Sequence, residues 1–140
     1  GDVYKRQELY IKSQLYQFFF ILDNRCRNLT TGSNRKTLDK MKIVLKYIEN
    51  NYMQKITIAD IAATVDFSES HFMKFFKQHL HTTFTSYLNG YRLTIAARLL
   101  LTEDDSILSI SERTGFNNLS YFNRLFKKEY QMSPRAYRNR

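Results

Sequence analysis

The chain states one pattern twice, about fifty residues apart, and that repetition constrains its fold more than any bulk property. Ile58-x-x-Ile61-x5-Phe67 recurs as Ile107-x-x-Ile110-x5-Phe116, and Ser70-x-Phe72-x3-Phe76-Lys77 recurs as Ser120-x-Phe122-x3-Phe126-Lys127. A tyrosine follows each lysine ten residues on, Tyr87 and Tyr137. The register between copies is 49 residues up to Phe67/Phe116 and 50 from Ser70/Ser120 onward, so the second copy carries one extra residue in its turn. Apolar residues three and four apart argue for helices. The repeat therefore predicts two units, each a short helix, a tight turn and a second helix. Two such units in one basic chain point to DNA.

At 140 residues the chain can hold one ordinary domain or two very small ones. Hydrophobic content of 43%, with 15% aromatics, is enough for a core. A single proline and four glycines suit an all-helical chain, because strand-and-turn architectures use more of both. The expected fold is all-α: two helix-turn-helix subdomains joined by a long linking helix, about seven helices, plus one N-terminal helix. The formal charge is +9, and its placement adds to its size. Residues 70–102 hold four Lys or Arg and no acid, and residues 113–140 hold seven against Glu129 alone. Excess charge by itself is usually a solvated face; its alignment with the repeated helices is what favours nucleic acid.

Other features narrow the class. Cys26 is the only cysteine, which excludes an internal disulfide and suits a reducing cytoplasm. No stretch reaches the ~18 apolar residues that a membrane-spanning helix needs, and no secretory signal pattern is present. Residues 1–7 pattern with nothing that follows and read as a tail outside the fold. Along the chain, residues 9–27 read as a helix with Ile11, Leu15, Phe18, Phe19 and Leu22 on one side. Residues 28–35 are the best linker candidate, and a helix is expected from near Thr37 to Asn51 with Leu38, Met41, Leu45 and Ile48 inward. The division that follows is 1–34 as the end of a preceding domain with its linker, and 35–140 as the two-unit domain.

Within that domain, Thr57 with Asp60 three residues on forms a capping-box pattern, and Ser68 and Ser106 open later helices. The first unit spans about 57–80, the linking helix about 84–101 and the second unit about 106–130. Asp66 and Gly115 occupy equivalent turn positions, and both residue types tolerate the left-handed backbone that a tight turn requires. Pro134 starts a terminal helical turn.

The repeated second helices are the candidate reading elements. Over residues 118–130, Leu119, Phe122, Leu125, Phe126 and Tyr130 fall mostly on one stripe, with Ser120, Asn123, Arg124 and Lys127 on the other. Arg can bond a guanine edge bidentately and Asn an adenine edge, while Lys suits phosphate. In the first copy Phe72, Phe75, Phe76 and Leu80 are expected inward, leaving Ser70, His71, Met73, Lys74 and Lys77 outward. That face is poorer in hydrogen-bonding side chains, so the second unit is expected to make the richer base contacts. The helix starts at Ser68 and at Asn117-Asn118 also offer backbone N–H groups to phosphate oxygens.

These residues closely resemble the AraC/XylS family of bacterial transcription activators. Tyr87-Leu88-Asn89-x-x-Arg92-Leu93-x-x-Ala96-x-x-Leu99-Leu100 is similar to the family's linking helix. Gly115-Phe116-x4-Tyr121-Phe122-x-Arg124-x-Phe126-Lys127-Lys128 and Ser133-Pro134-x-x-Tyr137-Arg138 are similar to its C-terminal signature. The likeness runs over residues 38–138. It implies two recognition helices in successive major grooves on one face of the DNA, about 34 Å apart, held by a rod of roughly 27 Å plus flanking turns. Carried over by position, base reading falls on Ser70, Met73 and Lys74, then on Leu119, Ser120, Asn123 and Arg124. Ser68, His71, Lys77, Asn117, Asn118, Tyr121, Lys127 and Lys128 are the candidates for DNA-backbone contact. His81 and Gln131 stand where the family usually has glycine; at positive φ each costs on the order of 1 kcal/mol relative to Gly. Ser111 replaces a common alanine. The resemblance further implies a cytoplasmic activator with RNA polymerase as a partner, a sensor or dimerisation domain ahead of residue 35, and a homodimer through that region, without cofactor or membrane.

Catalytic readings find little footing. His79-x-His81 lacks the i, i+4 spacing of a helical metal pair, and Cys26 has no neighbouring histidine. Glu103-Asp104-Asp105 reads as an acidic turn ending a helix, and no glycine-rich phosphate loop is present. The rival to DNA reading is a protein-interaction fragment whose basic helices bind an acidic partner.

Overall fold

The computed structural model describes the backbone over residues 32–140 and side chains from residue 35. Seven helices and no strand occupy that range: α1 Gly32–Asn51, α2 Ile58–Ala63, α3 Glu69–Leu80, α4 Phe84–Thr102, α5 Ile107–Arg113, α6 Leu119–Tyr130 and α7 Pro134–Arg138. The all-α architecture with two helix-turn-helix units around a long helix is as expected. The helix expected over residues 9–27 lies outside the described residues. α1 begins at Gly32, five residues ahead of the expected start near Thr37. Its Gly, Ser and Asn composition reads locally as linker, but propensity is a weak prior that context overrides. Among the described residues no helix is long and apolar enough to cross a membrane.

Local chemistry sets the helix starts. The Thr57 hydroxyl accepts from the Asp60 N–H at 3.0 Å while the Asp60 carboxylate accepts from the Thr57 N–H, the reciprocal box read from sequence. Ser68, Thr83, Ser106, Asn118 and Ser133 each accept from the N–H three residues on, in extended backbone that precedes a helix. Each such cap is worth about 1 kcal/mol. The turn positions Asp66 and Gly115 both have positive φ, 57° and 99°. The cap of α3 is Ser68 and that of α6 is Asn118, so the extra residue of the second copy is Asn117, between Phe116 and the cap.

Two hydrophobic cores follow, one per unit. The first gathers Met41, Val44, Leu45 and Ile48 of α1, Ile61 and Ala62 of α2, Phe72, Phe75 and Phe76 of α3, and Phe84 and Leu88 of α4. The second gathers Leu93, Ala96, Ala97 and Leu100 of α4 with Ile110, Phe116, Phe122, Phe126 and Tyr137. α4 thus changes core part-way along, at Arg92. The two registers of the repeat explain how. Val44 and Ile48 stand 49 residues before Leu93 and Ala97, whereas the cap Thr83 and Tyr87 stand 50 before Ser133 and Tyr137. The start of α4 therefore closes the first unit as α7 closes the second, and its end opens the second unit as α1 opens the first. A helix serving both has apolar residues all round rather than one stripe.

Tyr87 and Tyr137 behave as the packing residues that their positions suggested. Tyr137 is fully buried against Phe126 and Tyr130, and Tyr87 packs edge-on to Phe76. Burial pushes the Tyr87 phenol up to about 12, with a smaller contribution from Tyr91. Ser111 is buried and returns its hydroxyl to the Leu108 carbonyl at 2.7 Å, which is why it can replace alanine.

Candidate nucleic-acid interface

In α6 the core side is Phe122 and Phe126, fully buried, flanked by the half-buried Leu125 and Tyr130. Ser120, Asn123, Arg124, Lys127 and Lys128 are exposed. Leu119 departs from the stripe on which its spacing placed it. It is the first residue of the helix and is 36% exposed, which leaves it on the outer face with the other candidates.

In α3 the core side is Phe72, Phe75 and Phe76, and Ser70, His71, Met73, Lys74 and Lys77 are exposed. Met73 is half exposed, the apolar centre of an otherwise polar face. His71 stacks on Phe67 with ring centroids 3.8 Å apart, and the Lys40 ammonium lies 4.6 Å from the centre of the same Phe67 ring. The His71 ring is thus fixed at the edge of the face. Ser68 and Asn118 spend a side-chain oxygen on their caps, accepting from His71 N–H at 3.2 Å and Tyr121 N–H at 2.9 Å. Asn117, in the enlarged turn, is exposed.

Fewer cations face outward than a count suggests, because several arginines serve the fold. Arg92 is buried and donates from Nε to the Tyr52 carbonyl and from Nη2 to the Gln54 carbonyl, both at 2.7 Å. Arg113 pairs with Glu103 at 2.5 Å and Asp105 at 2.6 Å; the hydrogen bond from Arg113 holds the Glu103 carboxyl below its usual range. The acidic turn is therefore a partner for Arg113. Arg138 donates to the carbonyls of Leu100, Glu103 and Asp105, tying α7 to the end of α4. Exposed Lys74, Lys77, Arg124, Lys127 and Lys128 remain on the outer faces of the two repeated helices.

Sequence reading left two positioning features unassigned. The first is the junction between units. A Cβ on Gly115 would collide with the Tyr52 carbonyl oxygen and come within 2.6 Å of Arg92 Nε. The turn of the second unit thus sits directly on the Arg92–Tyr52 bridge that joins α4 to the segment after α1. The second is Asn89 of α4, whose Nδ2 donates to the Tyr121 hydroxyl on α6 at 3.0 Å. Neither has a local signature, since partners lie 23 to 63 residues apart.

The chain matches a family model described as a helix-turn-helix domain over residues 61–140. Solved structures that resemble it include AraC-type DNA-binding domains. The chain belongs to the AraC-type helix-turn-helix family of DNA-binding transcriptional regulators. Regulatory protein PocR of Salmonella typhimurium is 36% identical over 131 residues, covering 91% of this chain and 43% of PocR. The C-terminal domain of the two-component response regulator yesN from Fusobacterium nucleatum superposes with a TM-score of 0.68 at 31% identity, covering 71% of this chain and 98% of that domain. The DNA-binding domain of AdpA, a global transcriptional factor in complex with a target DNA, superposes with a TM-score of 0.66 at 25% identity, covering 71% and 89%. The chain spans less than half the length of the curated relatives it matches, 43%, 34% and 37% for the first three. The AraC-type assignment agrees with the resemblance read from residues 38–138.

Proposed function

We propose that this AraC-type domain binds double-stranded DNA sequence-specifically by placing α3 and α6 in successive major grooves, and that it acts as a bacterial transcription activator. One observation carries the reading. Two helices of twelve residues each, in equivalent places in the repeat, bury one face in separate cores and expose a polar, acid-poor face carrying Lys74 and Lys77 or Asn123, Arg124 and Lys127. The linking helix α4, 19 residues and about 28 Å long, suits a spacing near one turn of DNA, ~34 Å. Base reading is assigned to Ser70, Met73, Lys74, Leu119, Ser120, Asn123 and Arg124. Backbone contact is assigned to Ser68, His71, Lys77, Asn117, Asn118, Tyr121, Lys127 and Lys128. By the same reading the regulator works in the cytoplasm with RNA polymerase, and a region ahead of residue 35 belongs to a sensor or dimerisation domain. The complex formed by AdpA supports DNA as the partner, and the long relatives support a larger regulator.

The test is competition binding against a random duplex library at two salt concentrations. Enrichment of two blocks about one helical turn apart supports tandem groove reading. Binding without enrichment that collapses steeply with salt reduces the domain to a polycation, and absence of binding favours the protein-interaction reading. On the enriched duplex, Arg124→Ala is expected to lose about 1–3 kcal/mol at one base pair and relax preference there, whereas Lys127→Ala weakens all sequences alike and lowers the salt slope by about 1.

A further inference from the structure

We propose that Asn89 is a positioning residue for the second reading helix, acting through Tyr121 to set the pose of Arg124 and so the base preference of α6. The proposal rests on the reading of α6 as a base-reading helix. Asn89 lies on α4, and its amide donates to the Tyr121 hydroxyl at 3.0 Å. The Tyr121 ring also packs on the buried Phe116, with centroids 6.5 Å apart. The ring is therefore held at its hydroxyl end and at its side. Three residues along the same helix, the Arg124 guanidinium lies 5.3 Å from the centre of that ring. A long cationic side chain loses rotamer freedom when it docks on a base. Arg124 is already restricted by a ring whose own orientation is fixed from α4. Asn89 thus reaches the reading face without contacting DNA.

The first unit is built differently: in the 49-residue register Lys40 of α1 stands for Asn89, and its ammonium lies over the Phe67 ring and donates to the Val65 carbonyl. In the 50-residue register His71 stands for Tyr121 and Lys74 for Arg124, and His71 stacks on Phe67 rather than bonding to another helix. The arrangement belongs to the unit whose outer face carries the Arg and Asn suited to bidentate base contact.

The experiment measures the ratio of affinities for the best enriched duplex and for the same duplex altered at the base pair most sensitive to Arg124→Ala. Asn89→Ala and Tyr121→Phe are each expected to reduce this ratio by about threefold to tenfold, with the salt slope unchanged because no cation has been removed. The double variant should fall no further than the larger single change, and neither change should alter the ratio in an Arg124→Ala background. Tyr121→Phe removes one exposed hydroxyl and keeps the ring, so the test survives if Asn89→Ala fails to fold. A ratio that stays put while thermal stability drops would overturn the proposal and leave Asn89 a support of the fold. Equal weakening of all duplexes by Asn89→Ala would overturn it too, whereas Tyr121→Phe, which also removes a hydroxyl assigned to the DNA backbone, is read through the ratio alone. If Arg124→Ala itself leaves every base preference intact, the base-reading assignment fails first and the proposal falls with it.

Discussion

Of the three described non-glycine residues at positive φ, Asp66, His81 and Gln131, the last two end helices. His81 and Gln131 end α3 and α6 in the left-handed conformation, at φ 58° and 60°, where L side chains crowd the backbone. Each N–H still closes its helix, on the carbonyls of Lys77 and Lys127. His81→Gly and Gln131→Gly are each expected to stabilise the domain by about 0.5–1 kcal/mol, read as a higher midpoint in urea unfolding at unchanged slope. A lower midpoint would show that the side chains make contacts worth more than the strain. This feature was expected from the resemblance, which puts glycine at both positions; local caps are legible directly, because a cap is chemistry between residues three or four apart. The same holds for the Thr57–Asp60 box and the Ser68 and Ser106 caps. The exposure of Leu119 was not fully legible: spacing put it on the apolar stripe, whereas as the first residue of α6 it is exposed.

At the scale of elements, the glycines separate two kinds of position. Gly115 has φ 99°, and a Cβ there would meet the Tyr52 carbonyl and the Arg92 guanidinium. Gly90, inside α4, has no atom within 4 Å of a built Cβ. Gly115→Ala is expected to destabilise by about 2–4 kcal/mol, from left-handed strain plus a clash with fixed backbone. Gly90→Ala should stabilise by about 0.5–1 kcal/mol, because it removes helix-interior glycine at no steric cost. Paired denaturation curves check both, and equal effects would refute the close approach at the junction. The repeat predicted a left-handed residue at the turn before α6. That this turn rests on a bridge from α4 to the segment after α1 could not be read, since Arg92 and Tyr52 are 40 residues apart.

For the whole molecule, half-buried phenols make stability depend on alkaline pH. Burial raises Tyr87, Tyr91 and Tyr130 from 10.0 to about 12, and Glu49 and Tyr52 add to the effect at Tyr91. A phenol with a raised folded-state pKa contributes stability that is fully present below its unfolded value and lost as pH climbs through the folded one. The melting temperature is therefore expected to hold to about pH 10 and fall between about pH 10 and 12, as tyrosinate absorbance appears with unfolding. Tyrosinate forming freely below that window, with no loss of structure, would show these phenols to be exposed. Charge distribution is also a property of the whole. The basic excess was legible, but Arg92, Arg113 and Arg138 are held by carbonyls and carboxylates brought close by folding, which concentrates the remaining positive charge on fewer side chains.

The amino-acid sequence alone determined the seven-helix plan apart from the start of α1, the two units, the Thr57, Ser68 and Ser106 caps, the turn positions, and the polar faces of α3 and α6. All of these follow from spacings of two to four residues or from a repeat whose copies can be compared directly. Only the tertiary structure decided how one helix serves two cores, which arginines brace the fold, and which residue of α4 holds Tyr121. Those contacts join residues tens of positions apart, and no periodicity along a chain records which distant side chain fills a given space or satisfies a given carbonyl.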